Sequence, residues 1–338
     1  MPMSHFPNGI SNYGIPLYGS YIPPIIGTYY HVCPGSSNIV NGQGQQIVGS
    51  DGNNGLTPQT PLASLQQAYN MCVDGAGDGI IMWNYGGGGT LLYLTQTLNW
   101  TKNNITVVGV SAPVDEFPGV VVLVPPSVNN VLYAINFTGS NNSFINFRVL
   151  NSGTGAYGAA TFNGTRNYFY NIHFDQLYDT ISLTSSNACS MFFTASGMNI
   201  FEKCTIGGSL YNWVGTQVTA PIKFSNNSAY NTFYNCKILT WYSASNATSG
   251  AIHLLSANAI DKVQEFKDCS FINHKVGKPS TNPALSLVVG TPQTNGPILF
   301  SGNTSVIGYA AYDAVGGNDM VYISSSVSSA VGGISVSP

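Results

Sequence analysis

The sequence predicts an all-β protein whose chain is wound as a parallel β-helix, and three observations support this prediction. One short pattern of apolar residues recurs five times in the middle of the chain, at intervals typical of solenoids. The 338 residues are rich in glycine, and only 7% of them are charged, against about 25% in ordinary soluble proteins. One amphipathic helix precedes the recurring segments, where a solenoid needs a cover for its end.

The recurring segments align without gaps, and each carries three apolar anchors. The segments are SNNSFINFRVL, TRNYFYNIHFD, GMNIFEKCTIG, AYNTFYNCKIL and KVQEFKDCSFI. The first anchors, roughly 25 to 33 residues apart, are Phe144, Phe169, Phe201, Phe233 and Phe266. The second anchors are Phe147, Ile172, Cys204, Cys236 and Cys269, and the third are Val149, Phe174, Ile206, Ile238 and Phe271. Each segment is therefore predicted to belong to one coil, with equivalent residues stacked about 4.8 Å apart.

Two further stretches extend the predicted β-helix. TKNNITVVGV fits as an earlier coil, with Ile105, Val108 and Val110 as anchors, and GPILFSGNTSVIG fits as a degraded later coil. The alternative fold is an antiparallel sandwich, which also has short strands and Gly/Asn turns. Sandwich strands differ in their neighbours, so that fold explains one repeated local pattern less well.

Six cysteines raise the question of disulfides or a metal site. Cys204, Cys236 and Cys269 share one anchor position, where a free cysteine serves as a small apolar residue. Their spacing also lacks the CxxC-like local pairs of zinc ligands. We therefore predict a buried cysteine ladder, with no disulfide framework, no metal ion and no other cofactor.

The stretch GSDGNNGLTPQTPLASLQQAY, from Gly49 to Tyr69, joins a turn-rich loop to the predicted helix. Thr60 is predicted as the N-cap and Pro61 as the first helical residue, and Gly75 and Gly77 end the helix. The apolar residues that recur at helical spacing on one face are Leu62, Leu65, Ala68, Tyr69 and Cys72. Because a solenoid has unpaired strand edges at its ends, this helix is predicted to cap the N-terminal end.

The whole chain divides into four predicted segments. Residues 1–45 are an extended N-terminal arm, 46–78 the loop and capping helix, 79–308 the parallel β-helix, and 309–338 a C-terminal strand or closing segment. The β-helix is predicted to begin with the strand in DGIIMWNYGG, whose residues Ile80, Ile81 and Met82 enter the core. The alternating apolar residues of the closing segment are Val321, Ile323, Val327, Val331, Ile334 and Val336.

The arm is rich in Pro, Gly and Tyr, so it cannot easily bury a core of its own, and its apolar residues are expected to lie against a partner. The candidate contact residues are Phe6, Tyr13, Ile15, Tyr18, Tyr21 and Ile22. The alternative is a disordered leader. An apolar arm on a nearly uncharged protein also predicts a homo-oligomer.

Charge and hydropathy exclude several classes of partner. A formal charge of −3 with 10 Lys and Arg leaves no basic stripe, so neither nucleic acid nor an anionic membrane is expected as a partner. No apolar run reaches the length of a membrane span. The start, MPMSHFPNGISNYG, lacks the features of an export signal. The protein is therefore expected to be made in a cytoplasm and not to be exported from it.

The candidate site residues lie in NIHFDQLYDT. His173 and Asp175 flank the anchor Phe174, so both are expected on the outer wall, with Asp179 shortly after. If the coils stack in register, an outer column of equivalent residues contains Arg148, His173, Thr205, Lys237 and Ser270. These residues fit a shallow sugar-binding groove or a weak acid/base constellation. The favoured interpretation is a solvated face, because glycoside hydrolysis needs two carboxylates about 5 to 10 Å apart and no outward pair recurs in successive coils.

The first half of the chain also carries a resemblance. SDGNNGLTPQTPLASLQQAYNMC, followed by a strand and NNITVVGVSAP, resembles the start of right-handed parallel β-helix proteins of tailed bacteriophages. MSHFPNGISNYGIPLYG is similar to the arm of a subset of these proteins found among virion structural proteins. The likeness covers residues 4–150. It implies a right-handed helix and a virion component on the capsid surface, made in the host cytoplasm, as a trimer that decorates the head and binds the major capsid protein.

The functional prediction is therefore a non-enzymatic phage virion structural protein of the capsid decoration or cement type. The competing prediction is a tailspike-like protein that binds or cleaves carbohydrate. A third interpretation is a host-glycan-binding module without cleavage, because outward aromatic side chains stack on sugars. The aromatic residues concerned are Tyr170, Tyr234, Trp241 and Tyr242.

Overall fold

The computed structural model describes residues 11–12, 15–16, 27–35, 39–40, 46–84, 90–114, 117–175, 188–208, 220–240, 249–273, 286–309, 311–313, 321–323 and 335–336. Within these ranges the chain forms three long parallel β-sheets, one short α-helix and two small antiparallel strand pairs. No helix in them combines the length and the hydropathy needed to cross a membrane.

Every long sheet takes one strand from each successive coil. Sheet 1 consists, in spatial order, of β3 (Tyr29–Val32), β6 (Gly79–Trp83), β9 (Thr106–Val110), β12 (Ser143–Ile145), β15 (Tyr168–Tyr170), β18 (Ile200–Glu202), β21 (Thr232–Tyr234), β24 (Gln264–Lys267), β27 (Ile298–Ser301) and β30 (Val321–Ile323). Sheet 2 consists of β7 (Thr90–Tyr93), β10 (Val120–Val124), β13 (Arg148–Asn151), β16 (His173–Phe174), β19 (Thr205–Gly207), β22 (Lys237–Thr240), β25 (Ser270–Asn273), β28 (Ser305–Ile307) and β31 (Ser335–Val336). Sheet 3 consists of β8 (Leu98–Trp100), β11 (Tyr133–Phe137), β14 (Gly158–Phe162), β17 (Met191–Thr194), β20 (Ile222–Asn226), β23 (Ile252–Leu254), β26 (Ser286–Gly290) and β29 (Ala311–Asp313). The remaining elements are the pairs β1 (Ser11–Asn12) with β2 (Ile15–Pro16) and β4 (Ile39–Val40) with β5 (Gln46–Ile47), and helix α1 (Leu65–Met71).

The chain runs through sheets 1, 2 and 3 in turn, and each strand pairs in parallel with its equivalent in the next coil. This is a right-handed parallel β-helix, so the predicted fold is confirmed. The first-anchor phenylalanines pair in direct register from Phe144 to Phe266, and Phe300 of the last predicted coil continues the column. From Phe144 to Phe266, neighbouring rings are stacked with centroids 4.4–5.0 Å apart, which is the strand spacing of a sheet.

The predicted cysteine ladder is also confirmed. All six cysteines are buried thiols outside any disulfide. The thiols of Cys204, Cys236 and Cys269 each lie 3.2–3.4 Å from the carbonyl oxygen of the phenylalanine one coil earlier, so each donates a weak S–H···O hydrogen bond. Burial raises the pKa of the Cys236 and Cys269 thiols, which keeps both protonated.

Of the predicted anchors of the earlier coil, Ile105 lies in the core, but Val108 and Val110 do not. Val107, not Val108, pairs with Phe144 and lies in the core. Val108 and Val110 instead point to the outer face, where they join a separate apolar cluster that includes Ile81. The error arises because this strand is apolar on both faces, so its alternation does not distinguish the core side from the outer side.

Two corners of the coil are fixed by polar turns. Between sheets 1 and 2, five successive coils place one non-glycine residue at φ 51–59°, a conformation that asparagine and aspartate tolerate better than most residues. These residues are Asn146, Asn171, Lys203, Asn235 and Asp268. Between sheets 3 and 1 lies a ladder of buried amide side chains, which are Asn142, Asn167, Asn199, Asn231 and Gln264. The third corner varies in length, from residues 308–310 after β28 to residues 175–190 after β16.

The N-terminal end of the β-helix is capped as predicted, but the helix begins later. Ser64, not Thr60, is the N-cap, and its hydroxyl accepts a hydrogen bond from Gln67 N at 3.1 Å. Pro61 and Leu62 are unavailable to the helix because their backbones bond elsewhere: Pro61 O accepts a hydrogen bond from Ser50 N, and Leu62 forms a parallel bridge with Val32. The predicted apolar face does pack on the core, since all of its residues are buried.

Lys102 closes the other end of α1. Its Nζ donates hydrogen bonds to the carbonyl oxygens of Tyr69, Asn70 and Cys72 at 2.7–3.0 Å. Because a cation at a helix C-terminus satisfies free carbonyls, we expect Lys102→Met to lower the free energy of unfolding by about 1–2 kcal/mol. Denaturant unfolding measures this, with Lys262→Met as the control, since the Lys262 side chain is 51% exposed. Equal effects of the two substitutions would contradict the capping role.

The described strands extend past two predicted boundaries. β3 belongs to sheet 1, so the solenoid begins before the predicted first strand, within the stretch assigned to the arm. At the other end, β29, β30 and β31 add one strand to each sheet, so the described part of the closing segment continues the coil. Val327, Val331 and Ile334 lie outside the described residues.

Candidate functional site

The predicted outer column exists in the predicted register. Arg148, His173, Thr205, Lys237 and Ser270 are consecutive partners in sheet 2. They fall into two parts with different surroundings. The first part is buried beneath a loop, and the second part lines an open groove.

The buried part centres on Asp175, directly after β16. The carboxylate of Asp175 forms an ion pair with the guanidinium of Arg148. Phe117, from the loop between β9 and β10, covers the pair: its ring centroid lies 4.8 Å from the Arg148 Cζ and 5.5 Å from the His173 ring. His173 and Asp175 are only 1% and 3% exposed.

His173 is held as a neutral imidazole. Its Nε2 lies 2.9 Å from the carbonyl oxygen of Gly207, which can only accept, so the proton is on Nε2 and Nδ1 faces the N–H of Phe117 at 3.5 Å. Burial lowers the pKa of His173 to about 3, and the Arg148 charge contributes in the same direction. Although Asp175 Oδ1 lies 3.6 Å from Nε2, this contact is not an ion pair at neutral pH, because the ring is uncharged.

This arrangement corrects the prediction for the candidate cluster. His173 and Asp175 lie on the outer wall as expected, but they are enclosed there and do not face a glycan or solvent. The reason is the Phe117 loop, whose contact with His173 joins residues far apart in sequence. Asp179, the third predicted member, lies outside the described residues, as do Trp241, Tyr242 and every arm contact residue except the backbone of Ile15 in β2.

Other carboxylates on the described outer wall are also engaged. Glu202, on sheet 1, accepts a hydrogen bond from the Tyr168 hydroxyl at 2.8 Å, and the pKa of Tyr168 is raised, mainly by burial and also by that bond. Glu265 accepts one from Ser301 at 2.8 Å. Glu202 and Glu265 are two coils apart. Among the described residues, then, these acids are placed as hydrogen-bond acceptors within the wall.

The remaining part of the column lines a groove of about 370 Å³ along the corner between sheets 1 and 2. Its lining includes Tyr170, Asn171, Lys203, Thr205, Lys237 and Ser270. Lys203 Nζ donates a hydrogen bond to the Tyr170 hydroxyl at 3.1 Å and lies 5.2 Å from the centre of that ring. Sequence reasoning identified Lys237 and Tyr170 separately but did not place them in one groove with Lys203, whose position follows from the turn at φ 52°.

Comparisons with known proteins support the fold. No protein-family model and no curated protein matches this chain. A solved rhamnogalacturonan lyase is 15% identical, covers 83% of this chain and 68% of its own, and superimposes with a TM-score of 0.53. Pectin methylesterase PemA from Erwinia chrysanthemi is 14% identical over 85% of this chain and 81% of its own, with a TM-score of 0.47. ORF18 of Geobacillus virus E2 is 12% identical over 73% of this chain and 56% of its own, with a TM-score of 0.35. At these identities the likeness to the lyase shows a shared parallel β-helix and nothing about activity.

Proposed function

We propose that this chain is a non-enzymatic structural protein of a phage virion, a capsid decoration or cement protein that binds the head lattice through its N-terminal arm and its oligomer contacts. The observation that supports the non-enzymatic part most directly is the state of the candidate acid/base cluster. The imidazole of His173 is neutral with both nitrogens engaged, and the carboxylate of Asp175 is paired with Arg148. General acid/base catalysis needs such groups at a substrate, and here they are enclosed beneath Phe117.

The construction of the wall supports a structural role. Stacked phenylalanines, a cysteine ladder and a buried amide ladder repeat the same contacts from coil to coil. Each coil is therefore held mainly by its neighbours, which gives an elongated rigid body. Such a body suits a protein that projects from or reinforces a surface.

The virion context rests on the resemblance of residues 4–150 to phage β-helix proteins, and the apolar arm supplies the expected contact with the lattice. In this proposal the partner is the major capsid protein, and the oligomer is a trimer. The arm residues Phe6, Tyr13, Ile15, Tyr18, Tyr21 and Ile22 make the contact.

The copy number of the protein in purified virions tests this proposal. Quantitative peptide counting against the major coat protein is expected to give a number comparable with that of the coat protein, because a decoration protein occupies repeated lattice positions. A few copies per particle would instead indicate the tail or a vertex and favour the tailspike-like alternative. Absence from washed virions would reject a virion role.

A further inference from the structure

We propose that residues 1–26, the leading segment, dock on the outer face of sheet 1 in their own chain. The docking surface is the outer patch, in which Ile81, Val108 and Ile145 form a continuous apolar column. The side chains packed around this column are Tyr29, Trp83, Val110 and Tyr170. The contact concerns the free protein, so it goes beyond the proposed virion role and does not depend on it.

The outer patch is buried although its side chains point away from the core. Ile81 is 1% exposed, and Val108 and Ile145 are each 5% exposed. Tyr234 occupies the same outward column farther along the sheet and is 39% exposed. An open face of a sheet leaves its side chains in contact with water. The difference therefore indicates that another part of the chain covers the outer patch and that this cover ends before β21.

The leading segment joins the solenoid at a fixed point beside the outer patch. Thr28 N donates a hydrogen bond to the buried carboxylate of Asp78 at 2.7 Å, and Gly27 N donates one to Gly77 O at 2.9 Å. A Cβ on Gly27 would clash with Asp78 Oδ1, so only glycine fits there. β3 follows directly as the first strand of sheet 1, and β12 lies three strand steps beyond it, about 14 Å. At about 3.3 Å per residue, the leading segment can span that distance several times.

The leading segment and the outer patch are both uncharged. No Asp, Glu, Lys or Arg precedes Asp51, and residues 1–26 include twelve Met, Phe, Tyr, Leu and Ile residues. His31 borders the patch, where its Nδ1 accepts a hydrogen bond from Trp83 Nε1 at 2.9 Å, and it is neutral because burial lowers its pKa to about 4. Farther along the same column, the outward positions carry Glu202 and Lys267. An uncharged apolar segment therefore fits the first part of this face and not the second.

Neighbouring segments are less suited to cover the outer patch. Residues 36–45 contain two large apolar side chains, and residues 85–89 are one tyrosine followed by four glycines. In the loop between β9 and β10, Val114 stays 44% exposed and Phe117 packs on His173. The leading segment is longer and more apolar than any of these, so it is the occupant that we expect.

Cysteine accessibility in the full chain tests the proposal. The six native cysteines are buried, so a cysteine introduced on the outer wall can be followed separately with a maleimide. Val108→Cys is expected to react at least about 100-fold more slowly than Tyr234→Cys, the control in the same column, because a covered thiol reacts only when the cover opens. Ile145→Cys gives the same readout if Val108→Cys fails to fold. Similar rates for the patch and control cysteines would overturn the proposal.

Substitutions in the covering segment identify the occupant. In the Val108→Cys background, serine is placed together at Tyr13, Ile15, Tyr18, Tyr21 and Ile22. This variant is expected to raise the maleimide rate at least about tenfold, because its apolar contacts with the patch are lost. The controls are Tyr85→Ser and the pair Ile39→Ser with Val40→Ser, which are expected to leave the rate unchanged. A rise in either control, with none in the leading-segment variant, would assign the cover to another segment and reject the proposal.

Disulfide trapping distinguishes the chain's own leading segment from that of a second copy. Val108→Cys is combined with single cysteines scanned through residues 10–26, and each variant is mildly oxidised and run on a non-reducing gel. At least one pair is expected to cross-link at the mass of a single chain, with the linked peptides identified by mass spectrometry. A product of twice that mass would assign the covering segment to a second copy. That result, or the absence of a cross-link at every scanned position, would overturn docking within one chain.

Discussion

Replacement of Asn199 by alanine is expected to lower the free energy of unfolding by at least about 3 kcal/mol, because it breaks the amide ladder in the middle of the solenoid. The Asn199 side chain is fully buried. Its Oδ1 accepts hydrogen bonds from the backbone N–H and the Nδ2 of Asn167, and its Nδ2 donates to Gly164 O and Asn231 Oδ1. Alanine would leave these buried groups without that partner, and each such group costs roughly 1–3 kcal/mol.

Denaturant unfolding followed by far-ultraviolet circular dichroism measures this effect. The control is Asn99→Ala, which removes the same side chain from an exposed position, where it accepts one hydrogen bond from Asn136 Nδ2. A surface substitution of this kind is expected to change the free energy of unfolding by less than about 0.5 kcal/mol. If both variants lose the same stability, the ladder does not hold the coils together.

Acidification from pH 7 to pH 4 is expected to destabilise the protein strongly, because three histidines are held neutral in the fold. Burial lowers the pKa of His31 to about 4, of His173 to about 3 and of His253 to about 4, from an ordinary value of 6.5. The folded-state values are depressed, so below pH 6.5 the unfolded chain binds protons that the folded chain does not. The stabilisation is therefore complete above pH 6.5 and is lost as the pH falls towards 4, at up to about 1.4 kcal/mol per pH unit for each histidine.

Unfolding free energies measured between pH 4 and 8 give the number of protons taken up on unfolding. We expect a slope that approaches three protons near pH 5 and falls below about one proton between pH 7 and 8, where Lys223, whose pKa burial lowers to about 8, contributes to it. Single substitutions of His31, His173 and His253 by glutamine should each reduce that slope by about one proton, whatever they do to stability at pH 7. An unchanged slope in all three variants would assign the acid sensitivity to carboxylates.

The solenoid and its inward columns could be predicted because they depend on a pattern of apolar residues that recurs along the sequence. Equivalent residues such as Phe169 and Phe201 lie in direct register, so a sequence alignment of coils is already a contact map. The amide ladder had the same kind of signal and was missed: asparagine occupies the third position of four aligned segments. The ladder stabilises the coils because its side chains are buried, and the polar side chains of Asn167 and Asn199 do not suggest burial when only the sequence is considered.

The features that sequence reasoning misplaced depend on contacts without periodicity. Phe117 covers His173 from a loop that belongs to no repeat, so nothing in the pattern around His173 predicts its burial. The start of α1 was misplaced because Pro61 and Leu62 suit a helix locally, but in the fold Leu62 pairs with the first strand of sheet 1 and Pro61 O accepts a hydrogen bond from Ser50 N. In both places a tertiary contact overrides the local preference.

The three corners of the coil differ in how well they can accept inserted residues. Positive-φ turns fix the corner between sheets 1 and 2, and the amide ladder fixes the corner between sheets 3 and 1, so an insertion at either would break contacts with both neighbouring coils. The corner between sheets 2 and 3 already ranges from residues 308–310 to residues 175–190. New sequence can therefore accumulate along one edge while the wall stays constant, so that edge is the natural place to graft a peptide for display.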